Sequence, residues 1–157
     1  MTRTLASLIG LAIAAHAGAL RAEIALENAW MRPAFTGQAQ ASVYVDIRST
    51  EALKLVGASS PVAKRAELVL VDPPGNDTSK HKVVASLPVS ASAPTRLAYL
   101  GSHVRLVDLT RNVLPGESIA LELVFVDAKG KRLKAATEAR VRGIVARQPE
   151  DSEKVKK

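Results

Sequence analysis

Two histidines and one arginine, His81, His103 and Arg105, are the side chains of this chain whose type and spacing offer chemistry. An imidazole nitrogen ligates transition metals, moves protons or, when charged, attracts anions. A guanidinium has five N–H donors and no lone pair, so it holds oxyanions and cannot ligate a metal. His103 and Arg105 lie in Gly101-Ser102-His103-Val104-Arg105-Leu106-Val107-Asp108-Leu109. If that stretch is extended, its period of two sets His103 and Arg105 on one face and frees Val104, Leu106 and Leu109 to anchor it. Two placements of Arg105 follow. The one expected from the usual exposure of arginine is outward on the surface; the other is inward beside His103, where it builds an anion pocket. His81, flanked by Lys80 and Lys82, reads either as an exposed strand-edge histidine or as a second ligand.

Other chemistries find less support. The 157 residues contain no cysteine, which excludes thiolate metal sites, thiol catalysis and disulfides. No nucleophile elbow or other triad context appears, so no catalytic residue is assigned and the chain is not read as an enzyme. Asp72, Asp77 and Asp108 lack the spacing of a calcium loop, and there is no glycine-rich phosphate loop. Lysine and arginine outnumber acids 22 to 15, but they are spread along the chain, and aromatics make up only 3% of it. That offers no stacking platform for single-stranded nucleic acid and implies at most a general affinity for anionic surfaces.

The elements that must position these residues begin after a leader. Residues 1–22 carry Arg3 and then the apolar run Leu5 to Ala15, the pattern of a secretory signal peptide, and too short for a spanning helix of ~20 residues. Cleavage can follow Ala17, Ala19 or Ala22; Ala22 is preferred because a strand-like pattern opens at Ile24. The alternative is an uncleaved anchor. His16 leaves with the leader, and Met31 is then the only methionine. The remaining 135 residues, with 20 basic and 15 acidic side chains, suffice for one core and are too few for two ordinary domains. The expected division is a leader over 1–22, a domain over 23–147 and a disordered charged tail over 148–157. The expected location is the periplasm or another exported compartment, with no membrane span in the mature form.

Within the domain, alternating apolar residues predict strands over 24–32, 41–48, 53–58, 66–71, 80–84, 95–99 and 118–126, with a return strand inside 133–144. Asp72-Pro73-Pro74-Gly75 and Leu114-Pro115-Gly116 are turns, and Asp127 to Lys131 is a hairpin connection with glycine where a positive φ is easiest. The stretch from Ala85 to Pro94 reads as a loop. Asn76-Asp77-Thr78 matches the N-glycosylation pattern. Many short strands without an amphipathic helix predict an all-β, antiparallel two-sheet sandwich, with Trp30, Val43, Val45, Leu121, Leu123 and Phe125 in one core.

Across most of the mature chain the sequence resembles the periplasmic copper chaperone family PCu(A)C. The resemblance rests on Asn28-Ala29-Trp30-Met31-Arg32-Pro33, Ala41-Ser42-Val43-Tyr44, Leu55-Val56-Gly57-Ala58-Ser59-Ser60-Pro61-Val62-Ala63, Glu67-Leu68, Gly101-Ser102-His103 and the Leu114-Pro115-Gly116-Glu117 turn. It implies a cupredoxin-like sandwich with an immunoglobulin-like Greek key. It also implies a copper cargo, held by two histidines and two methionines and passed to an acceptor such as the assembly components of cytochrome oxidase. The ligands depart from the family. Val69 stands at the first ligand position, His81 falls at the first methionine position, His103 matches the next histidine and Arg105 replaces the last methionine. Cu(I) favours thioether and imidazole donors. The site implied is therefore degenerate, with His81 and His103 as metal ligands and Val69 and Arg105 as former ligand positions lost. The alternative is a scaffold or interaction module that has kept the fold without the metal, with Arg105 in an anion pocket.

Overall fold

The structure, a computed structural model, describes residues 22–38, 40–71 and 81–143. The leader apart from Ala22, the Asn76 acceptor and the expected tail lie outside them. Ten strands follow in chain order: β1 (Ile24–Met31), β2 (Gln40–Ser49), β3 (Leu53–Ser59), β4 (Ala63–Val71), β5 (His81–Val84), β6 (Leu87–Val89), β7 (Thr95–Leu97), β8 (His103–Leu109), β9 (Ser118–Val126) and β10 (Arg132–Val141). They form one hydrogen-bonded path, β5-β4-β8-β2-β1-β10-β9-β3-β6, with β7 added to β2. The path folds over so that its halves face each other. Val43, Val45, Ile47, Val104 and Leu106 from one half join Leu55, Ile119, Leu121, Leu123 and Phe125 from the other in a single core. This is the expected all-β sandwich.

The turn from β3 to β4 carries the chain from one half to the other and is tied to both. The Ser60 hydroxyl donates to the Ala120 carbonyl (2.7 Å), while the Val62 carbonyl accepts from the Thr110 amide (2.9 Å). The turns predicted from glycine have the positive φ that L side chains avoid, 89° at Gly116 and 81° at Gly130.

Three expectations need correction. Not every pairing is antiparallel: β1 and β10 run parallel, joined through Trp30↔Arg140 and Met31↔Val141. Alternation reports a strand's faces but not its direction, and no tight turn constrains two strands at opposite ends of the domain. Ala85 to Pro94 is not all loop, because Leu87–Val89 pairs with β3 from Leu53 to Leu55. Trp30 lies outside the core cluster. Between Glu27 and Trp30 the ladder with β2 slips by one residue, and Asn28 takes φ 52°. Ile24 and Leu26 pack on the core before this bulge, but beyond it Ala29 and Met31 take the inward positions. Trp30 is thereby turned to the opposite face.

Candidate functional site

That opposite face carries the site, across β5, β4, β8 and β2. On β8, Val104 and Leu106 point into the core, so His103 and Arg105 point away from it. The antiparallel register sets Val69 of β4 opposite His103 and Glu67 opposite Arg105. Ser42 of β2 lies opposite Arg105 on the other side, and His81 of β5 lies opposite Val71. Cross-strand partners share a face, so all these residues sit on one patch.

The two predicted histidines meet there. Their ring centres are 5.9 Å apart at an interplanar angle of 64°. His81 is exposed at the start of the edge strand β5, whereas His103 is buried. His103 Nδ1 lies 2.9 Å from the Gly101 carbonyl, which can only accept, so Nδ1 carries the proton and Nε2 keeps its lone pair. Burial pushes the His103 pKa below its ordinary value; the Gly101 carbonyl opposes that shift, and the charges of Arg105 and His81 add to it. The ring is thus held neutral, in the tautomer a metal ligand needs, by the type of backbone contact that orients ligating histidines.

Tyr44 packs beside His103 with ring centres 6.1 Å apart, and Trp30 lies over Tyr44 at 4.6 Å. Tyr99 meets Tyr44 edge-on at 6.1 Å, and the Arg32 guanidinium stands over Tyr99 at 4.9 Å. Burial raises the Tyr44 pKa, opposed by the neighbouring Ser42 hydroxyl. These groups bound a cleft of about 350 Å³ whose lining includes Arg32, Ser42, Tyr44, His81, His103 and Arg105.

Arg105 is not outward on the surface. Its side chain is 18% exposed and lines the cleft. Among the described residues its one ion pair is long, Nη1 to Glu67 Oε2 at 3.5 Å, and its buried Nε has no hydrogen-bond partner. Glu67 is better served by Arg65, at 2.8 Å. The cross-strand match with Glu67 and Ser42 explains why the arginine stays inward: its stem lies between two strands and its head finds an acid on the neighbouring one. Val69 is fully buried and offers no donor.

The residues present fit a metal in part. An ion ~2.0–2.1 Å from a nitrogen of each ring stands about 3 Å from each ring centre, so rings this close can share one. Val69 and Arg105 contribute no ligand, and among the described residues no group of three or more His, Cys, Asp or Glu gathers around an ion. Sequence reasoning found His81, His103 and Arg105 but missed Arg32, Glu67, Tyr44 and Tyr99. Tyr44 alternates with Val43, Val45 and Ile47 in β2 and so falls on the other face; the missing information was which strands that face adjoins.

Solved structures share this architecture. The copper-bound PCuAC domain from PmoF2 is similar at a TM-score of 0.60 and 20% identity, covering 76% of this chain and 92% of that one. The apo PmoF2 PCuAC domain gives 0.59 and 22%, covering 78% and 92%. The solution structure of Cu(I)-DR1885 from Deinococcus radiodurans gives 0.56 and 26%, covering 75% and 77%. Among curated proteins, none matches the sequence. The fold is therefore that of the PCuAC domains, as the resemblance implied. Within that class, the LpqE-like family model matches residues 24–137, and the chain belongs to that family. The family is named for a lipoprotein; these 157 residues, lacking cysteine, offer no thiol for attaching a lipid.

Proposed function

We propose that the chain is an exported, non-enzymatic copper-handling protein of the PCuAC type, in which His81 and His103 hold the metal and Val69 and Arg105 leave the remaining donor positions unfilled. The observation that carries this reading is the meeting of the two rings, 5.9 Å apart, with the His103 Nε2 lone pair kept free by the Gly101 carbonyl. Copper is cargo here, passed on to an acceptor protein in the periplasm or another exported compartment, with cytochrome oxidase assembly components as the acceptor class. Two imidazoles without a thioether hold Cu(I) less tightly than a complete His/Met set.

Competition against a Cu(I) chelator tests this, before and after Arg105→Met and Arg105→Met with Val69→His. His103 faces both positions across the sheet or along β8, so each substitution adds a donor beside it. Affinity should rise stepwise through the two variants and fall in His103→Ala. Tight binding by the native chain, unchanged in His103→Ala, would overturn the assignment. A second reading, a scaffold or interaction module without metal, is favoured by one observation: Arg105 puts a permanent charge into the cleft.

A further inference from the structure

Arg105 is the residue of the cleft that a two-histidine metal site does not explain. It cannot ligate, it opposes a cation, and it is held inward with its bonds incomplete. Of its five N–H donors, among the described residues Nη1 makes one long contact to Glu67 at 3.5 Å, and the buried Nε has none. Arg32 brings a second guanidinium to the same cleft, held over Tyr99 at 4.9 Å. Glu67 stands opposite Arg105, but its closer partner is Arg65 at 2.8 Å.

We infer that the cleft binds a small carboxylate or carbonate together with the metal, one oxygen of the anion on the ion held by His81 and His103 and another on the Arg105 guanidinium. The inference rests on the metal reading above and deepens it. Side chains two apart on one face of a strand stand about 6.6 Å from each other, room for one carboxylate group between an ion on His103 and the guanidinium. The anion supplies the third ligand that this chain's own donors do not. It also lies between two positive charges that would otherwise repel, and it gives the guanidinium a charge-assisted acceptor. With oxygen joining two imidazoles, the donor set moves from the soft one that suits Cu(I) toward the harder one that suits Cu(II). The Arg105 side chain thus recruits the ligand that a methionine would have been.

The test uses the full chain, Cu(II) as the metal, and oxalate or bicarbonate as the anion, in a non-coordinating buffer. Cu(II) affinity is measured by chelator competition with and without anion, and the ratio of the two is read within each variant, so that a change in anion-free affinity does not enter it. The native chain should bind Cu(II) at least tenfold more tightly with anion, and ¹³C-oxalate should couple to the copper in pulsed electron paramagnetic resonance. In Arg105→Gln the ratio should fall below about twofold, and Arg105→Lys should restore part of it. An equal ratio in the native chain and Arg105→Gln would overturn the inference while leaving the metal reading intact. Arg105-dependent anion binding of the same affinity without any metal would overturn it in favour of a plain anion pocket. Cu(II) binding unaltered by His81→Ala and His103→Ala, or absent in every buffer, would also overturn the inference, and the Cu(I) competition above then decides the metal reading by itself.

Discussion

Replacing Arg105 with methionine should make this protein more stable, and the size of the gain can be worked from the contacts. The Arg105 side chain is 18% exposed, and its buried Nε has no acceptor among the described residues. A buried donor left unsatisfied costs about 1–3 kcal/mol, and the substitution removes that cost. Against it stands the loss of the pair with Glu67, long at 3.5 Å, with 22% of the Glu67 side chain exposed. A pair of that length and exposure contributes at most about 1 kcal/mol. Glu67 is not stranded, because Arg65 remains 2.8 Å from its other oxygen. Methionine fills a similar elongated volume and adapts to irregular gaps. The balance is a gain of about 1–2 kcal/mol, or a few degrees in Tm for a domain of this size. Urea denaturation of the two proteins in metal-free buffer measures it, with a shift in midpoint at unchanged slope as the signature. Destabilisation of more than about 1 kcal/mol would refute the reasoning, since it would show that Arg105 is satisfied in the folded protein. Stabilisation would mean that the arginine lowers stability where it stands, which is typical of a side chain whose use lies in binding.

Three further outcomes are expected. Leu123→Ala, at a fully buried position among Leu121 and Phe125, should cost about 2–5 kcal/mol in the same denaturation assay. Because burial lowers the His103 pKa from 6.5, the unfolded chain takes up that proton first on acidification. This contribution to stability is therefore complete above pH 6.5 and is lost as pH falls through the folded-state pKa; His103→Gln should remove that part of the pH dependence, measured as urea midpoints from pH 7.5 downward. Ser60→Ala should cost about 1 kcal/mol through the lost 2.7 Å bond to the Ala120 carbonyl, with thermal unfolding as the readout.

The strands were legible because their physics is local. β9 was predicted at its observed bounds, Ser118–Val126, since an inward residue at every second position is a pattern one strand carries by itself. Trp30 was misplaced for a reason equally physical. A large apolar ring in an alternating segment reads as core, but one extra residue at Asn28 reverses the parity of everything after it, and no neighbouring residue announces the bulge. Leu87–Val89 was missed because three residues are too few to show a period; β3 beside it makes it a strand. The parallel β1–β10 pairing depends on how the whole sheet folds over.

The cleft was legible in its types and not in its assembly. His81 and His103 are 22 residues apart, and the β4–β5 and β4–β8 registers bring them together, each pairing with a different residue of β4. The same strand separates two ways of losing a ligand. Val69 lies fully buried opposite His103 and fits its surroundings as any valine would, so a donor missing there needs no further account. Arg105 does not fit in that sense, because it brings charge, length and an unpaired Nε into a place where an apolar side chain would cost nothing. If the two positions had simply ceased to matter, both should have settled into apolar packing. One did and the other did not, and the one that did not stands beside the histidine whose tautomer is fixed. The chemistry retained by this face is therefore to be sought in what a histidine pair and a guanidinium can hold jointly.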